Sequence, residues 1–324
     1  MTVPVLSVRG LRTEFDTRAG RLTAVDGVSF DVGPGEVLGL VGESGSGKTI
    51  TGFSILGLID PPGRIAAGEV VLNGQDLRKL PEPALRRLRG DRIAMIFQDP
   101  MMTLNPVLRI DTQLIETILA HRDVSRERAR DMAAEALAQV GIPSPAERLR
   151  AYPHELSGGM RQRVVIAAAL MLEPDLIIAD EPTTALDVTI QSQILYEMQQ
   201  LMAERNTALI WITHDLTVVA GLAHRVAVMY AGRIVEIGPV DDLLDRPAHP
   251  YTRGLIHSIP SATARGQRLE PIRGMTPSLL NLPPGCAFAP RCPRADAACG
   301  TRPEERAMGP ARLVRCHHAG EVIA

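Results

Sequence analysis

The chain has 324 residues, 45% of them hydrophobic and 22% charged, with a formal net charge of −2 at pH 7. That length exceeds the usual single domain and admits one large domain plus an extension. The near-neutral charge argues against a large nucleic-acid footprint, and aromatics at 3% leave the core to aliphatic side chains.

In chain order, the first residues lack the charged start and apolar middle of a secretory leader. Residues 5–11 and 22–30 alternate apolar and polar positions, which predicts antiparallel strands with one buried face. Residues 36–41 are a short apolar run leading into glycines, the pattern of a buried parallel strand that ends in a phosphate loop. Further buried strands are predicted at 92–97, 175–179, 207–213 and 225–229, with helical patterns between them, notably 188–205. Such alternation predicts a parallel sheet covered by helices on both faces. From about 100 to 160 the rhythm breaks: 126–140 reads as helix and no strand intervenes, so this stretch is expected to be a helical insertion. The longest apolar run, 164–172, is flanked by Arg163 and Glu173. It is too short for a span of about 20 residues and reads as one buried helix. After about 238, repeated prolines and all four cysteines mark a loop-rich extension.

Gly42, Glu43, Ser44, Gly45, Ser46, Gly47, Lys48 and Thr49 form the pattern Gly-x-x-x-x-Gly-Lys-Thr. Small residues let successive N–H groups converge on an anion, and the helix that follows adds its positive end. Lys48 is expected to reach the β- and γ-phosphates, and the Thr49 hydroxyl to ligate Mg²⁺. Asp180 and Glu181 end an aliphatic strand, where one acid can serve the metal and the other the attacking water. Ser157, Gly158, Gly159 and Met160 open another helix with free N–H groups, a second anion-binding device.

These strings resemble the ATP-binding-cassette (ABC) ATPases. Residues 42–49 match the family's Walker A, 176–181 its Walker B, and 156–160 its signature. Gln98 sits where the family has its Q-loop, Ala185-Leu-Asp187 where it has its D-loop, and His214 where it has its switch histidine. The resemblance implies an α/β fold: a P-loop NTPase (RecA-like) core with an N-terminal antiparallel β subdomain and the helical insertion, over residues 1–240. The loop-rich cysteine-containing extension would occupy 241–324. It also implies ATP and Mg²⁺ as cofactors, with Thr49, Gln98 and Asp180 at the metal and Glu181, His214 and Gln98 as the catalytic set. Each ATP would lie between the Walker A of one cassette and the signature of another. One position departs from the family: where an aromatic usually stacks on adenine the chain has Ala19, leaving Phe15, Arg18 or Arg21 as substitutes.

Phe97-Gln-Asp-Pro100, Leu104-Asn-Pro106, Met160 and His249-Pro-Tyr-Thr252 look more specifically like the ATPase subunits of peptide importers. That resemblance implies an energy-coupling ATPase for di- or oligopeptide import, with nickel or glutathione import as the alternative within the group. A soluble ABC ATPase of DNA repair or translation is the alternative of a different class. Implied partners are a homologous second ATPase subunit forming a heterodimer, two membrane permeases and an extracytoplasmic binding protein, without nucleic acid. The chain would then sit peripherally on the cytoplasmic side of the cell membrane.

Cys286, Cys292, Cys299 and Cys316 are spaced C-x5-C-x6-C-x16-C. Four thiolates can hold Zn²⁺ or a [4Fe–4S] cluster, and His317 or His318 could join a zinc site. The spacing leaves both open, with unligated buried thiols as the third reading. Resemblance to the peptide-importer ATPases favours the iron–sulfur cluster.

Overall fold

A computed structural model describes residues 3–183, 187–259, 271–309 and 311–320. Strand β1 (Leu6–Thr17) pairs antiparallel with β2 (Gly20–Val32), from Leu6 opposite Val32 to Thr17 opposite Gly20. Strand β3 (Val37–Val41) then runs through the glycine loop into helix α1 (Lys48–Leu56). Strands β4 (Gly63–Leu72) and β5 (Gln75–Asp76) complete an antiparallel sheet of order β2-β1-β4-β5. The periodicity of the sequence did not disclose β4, which pairs with β1 across a register shift beside Gly68, at φ +98°.

Helix α2 (Glu82–Leu88) leads to β6 (Ile93–Ile96). Helices α3 (Pro100–Thr103), α4 (Ile110–His121), α5 (Arg126–Gln139) and α6 (Pro145–Arg148) follow without an intervening strand. Helix α7 (Gly158–Leu170) then returns the chain to the sheet. The remaining core alternates: β7 (Leu176–Asp180), α8 (Val188–Arg205), β8 (Ala208–Thr213), α9 (Leu216–Leu222) and β9 (Arg225–Tyr230). Strand β10 (Arg233–Pro239) folds back antiparallel on β9 and was also missed by periodicity. Beyond it lie α10 (Val240–Asp245), α11 (Pro250–His257), β11 (Arg306–Ala307) and β12 (Leu313–Val314).

Among the described residues the large sheet has the order β11-β12-β10-β9-β3-β8-β7-β6, parallel from β9 to β6. Because successive side chains point to opposite faces, each central strand feeds two cores. Val37 and Val41 join Trp211, Val228 and the helices α4, α5 and α7, while Leu38 and Leu40 join Ile178, Ile212 and the antiparallel sheet. Gly39 is the exception in β3: a Cβ there would lie 2.4 Å from Val219, so α9 packs directly on the strand backbone. No described helix is long and apolar enough to cross a membrane.

The extension is not a loose tail. Pairing of Ile237 with Leu313 adds β12 to the main sheet. Glu236, fully buried in β10, accepts hydrogen bonds from the Ala248 and His249 amides at 2.9 and 3.0 Å and from Arg312 at 2.5 Å. A buried carboxylate is tolerable only with such a full set of donors.

Candidate nucleotide site

The parallel strands end at one edge, and a cleft of about 830 Å³ opens there. Its lining combines Gly42, Glu43, Ser44, Gly45, Gly47, Lys48 and Thr49 with Gln98, Glu181 and His214. Crevices outside the carboxyl ends of parallel strands are where open α/β sheets bind ligands. Ser46 is buried beneath the loop. Gly47, at φ +101°, caps α1, and a Cβ on it would fall 2.4 Å from the Ala24 carbonyl oxygen. Only glycine lets the backbone turn there and aim its amides into the cleft.

Lys48 Nζ donates to the carbonyls of Gly42 and Glu43, at 2.8 and 3.1 Å. Burial lowers its pKa, opposed by the charges of Glu181, Asp180 and Glu43. The Thr49 hydroxyl donates to Asp180 Oδ1 at 3.2 Å. Burial raises the Asp180 pKa, and the charge of Glu181 adds to that rise. An all-oxygen donor set of this kind fits a hard divalent cation, whose charge would relieve the two crowded acids.

Glu181 gathers the other polar residues. Gln98 Nε2 donates to its Oε2 at 3.2 Å, and His214 Nδ1 lies 3.0 Å from its Oε1. The backbone at Glu181 is left-handed, φ +45°, an uncommon conformation for a residue with a side chain. It turns the carboxylate out of the strand direction toward Gln98 and His214. The Thr49 hydroxyl and Asp180, a second carboxylate partnered at both oxygens, and the polar side chains of Gln98 and His214 are thus brought together from β3–α1, β6, β7 and β8.

The signature residues lie elsewhere. Ser157 caps α7, its hydroxyl accepting from the Met160 amide at 3.3 Å. Ser157 and Gly158 are exposed, Gly159 and Met160 are half-buried, and none of the four lines the cleft. Asp187 caps α8, accepting from the Ile190 amide at 3.0 Å; the D-loop residues Ala185 and Leu186 lie outside the described residues. Of the adenine candidates, Phe15 lines the cleft beside Leu22 and Ala24. Arg21 instead pairs with Asp16 at 3.0 Å, and Arg18 is exposed.

Sequence reasoning missed the residues that the extension brings. Leu255 of α11 and Leu279 line the same cleft. Tyr251, Thr276 and Arg291 reach Glu43. The only signal was the string around Tyr251, which carried a family resemblance and no role.

Cys299 and Cys316 are buried, and Cys286 and Cys292 half-buried. Burial pushes up the thiols of Cys286, Cys292 and Cys316, the last to about 11, and the charges of the other three act on Cys316 in the same direction. The four therefore share one neighbourhood, and a bound cation would favour their thiolates. Within it, Asp296, Cys299 and His318 bring one ligand atom each within 4.8 Å of the others.

Residues 25–184 match the family described as ABC transporter, and residues 235–299 match the oligopeptide/dipeptide transporter C-terminal region. The chain is 48% identical to the oligopeptide transport ATP-binding protein OppD of Escherichia coli, over 96% of this chain and 92% of that protein. It is 50% identical to the dipeptide transport ATP-binding protein DppD of Bacillus subtilis, over 91% and 88%. The fold is similar to a dimeric, post-hydrolysis structure of the ATP-binding cassette MJ0796 bound to ADP and Pi. That likeness has a TM-score of 0.65 at 26% identity and covers 72% of this chain and 98% of that one. With that cleft, that fold and these relatives, the chain belongs to the ATP-binding proteins of the ABC transporter family, in its oligopeptide/dipeptide transporter group.

Proposed function

We propose that this chain is the ATP-hydrolysing, energy-coupling subunit of a membrane importer for di- or oligopeptides. The observation that carries the cargo class is the match of residues 235–299 to the oligopeptide/dipeptide transporter region, joined to a cassette fold. Lys48 and the loop amides hold the triphosphate, Thr49 and Asp180 serve Mg²⁺, and Glu181 activates water with Gln98 and His214 beside it. The partners are two permeases, a binding protein and a homologous second ATPase, which completes the site with its own signature while Ser157 to Met160 serve the partner's. Exposure of Ser157 and Gly158 away from the chain's own cleft supports that division. Nickel and glutathione are the other cargoes of the same group.

The four cysteines carry a [4Fe–4S] cluster in this reading. What supports that reading is four thiols within one extension, two buried and two half-buried, and the preference of soft thiolate ligands for iron–sulfur clusters and zinc. Iron analysis and visible absorption of anaerobically purified protein distinguish the two metals.

The test of function is reconstitution with the permeases and second ATPase in liposomes. Binding protein loaded with a peptide should stimulate ATP hydrolysis and drive peptide uptake. Stimulation by loaded nickel or glutathione binding proteins and not by peptide would reassign the cargo. ATP turnover by the isolated chain as fast as by the full complex would refute the shared site.

A further inference from the structure

The contacts between the extension and the cleft converge on Glu43, the second residue of the phosphate loop. Arg291 Nη1 donates to Glu43 Oε2 at 2.6 Å and Nη2 to Oε1 at 2.9 Å, a two-point pair. The Thr276 hydroxyl donates to the same carboxylate at 2.8 Å, and the Glu43 amide donates to the Tyr251 hydroxyl at 2.8 Å. Every one of these partners comes from the extension.

Arg291 is itself immobilised. Its side chain is 5% exposed, its Nε donates to the Arg273 carbonyl at 2.9 Å, and its guanidinium lies 5.9 Å from the Tyr230 ring centre and 6.0 Å from that of Phe288. Paired, two-point arginine–carboxylate contacts fix geometry as well as charge. Arg291 does not line the cleft, whereas Glu43 does.

We propose that Arg291 is a positioning residue for ATP, holding the phosphate loop in its binding shape through Glu43 and cancelling a carboxylate that would otherwise face the triphosphate. An acid in a triphosphate-binding loop is a liability by simple Coulomb repulsion. The clamp turns it into a handle by which the extension sets the loop. This rests on ATP binding at the loop alone, and neither on the cargo nor on the cysteine-bound group.

The test is a double-mutant cycle on the full chain, with ATP affinity read by titration calorimetry. Arg291→Ala should weaken ATP by about tenfold, within the usual range of coupling for a charged pair. In a Glu43→Gln background the same substitution should cost less than about twofold, because the charged, two-point pair has gone. In nucleotide-free protein, Arg291→Ala should speed hydrogen exchange of the amides of 43–47 and leave those of 37–41 unchanged. If Arg291→Ala does not fold, Arg291→Lys in the same cycle, keeping charge but not the fork, should show a smaller coupled loss. An ATP affinity within twofold of the wild type, or equal losses in both backgrounds, overturns the proposal. Failure of the wild type to bind ATP would instead overturn the nucleotide reading itself.

Discussion

Asp180 lies beside Glu181 in a buried strand end, and the raised pKa of Asp180 has a consequence for stability. A carboxyl whose folded pKa exceeds its unfolded value contributes stability that is full below the unfolded value. That contribution is lost as pH rises through the folded value. Without Mg²⁺, the protein should therefore lose thermal stability from the ordinary aspartate range, near 3.8, up to the raised value. Asp180→Asn should abolish that decline and raise the metal-free melting temperature at neutral pH, while nearly eliminating Mg²⁺-dependent hydrolysis. Melting curves against pH check it; an unchanged pH profile would count against it. The residue types at this site were legible because phosphate chemistry restricts them to a few short strings. Their meeting was not: Gln98 and Glu181 are 83 positions apart, and only the order of the parallel strands brings them to 3.2 Å.

Element by element, legibility followed burial. Strands β3, β7 and β8 are buried along their whole length, so their aliphatic runs stood out. Strand β4 is mostly exposed or half-exposed and reads Ile-Ala-Ala-Gly-Glu, which carries no clean period. Strand β10 holds a fully buried glutamate, a residue that hydropathy patterning places outside. That glutamate pins the start of the extension. Removing its carboxylate strands the Ala248 and His249 amides and the Arg312 guanidinium together. Glu236→Ala should cost about 3–5 kcal/mol, measured by denaturant unfolding; a loss below about 1 kcal/mol would show that water replaces the carboxylate.

For the whole molecule, the separation of the cleft from the signature divides mutations into two classes. Ser157→Arg should leave ATP affinity of the isolated chain unchanged, since 157–160 do not line its cleft, yet depress hydrolysis by the assembled pair. Glu181→Gln should retain ATP and slow turnover by about 10²-fold or more, the usual scale for removing a catalytic acid or base. Nucleotide binding and steady-state hydrolysis, measured for each variant alone and in the pair, separate the classes. Loss of ATP affinity in isolated Ser157→Arg would refute the division.

The return of the extension to Glu43 also bears on the order in which the chain is made. Every recognisable nucleotide string has been synthesised by His214, but Tyr251, Thr276 and Arg291, which hold Glu43, emerge afterwards. A growing chain, or one cut short near residue 240, would therefore carry a full set of motifs around a phosphate loop still missing its supports. If the clamp on Glu43 sets the loop as proposed, a fragment that holds every nucleotide motif but ends before Arg291 should bind ATP more weakly than the full chain.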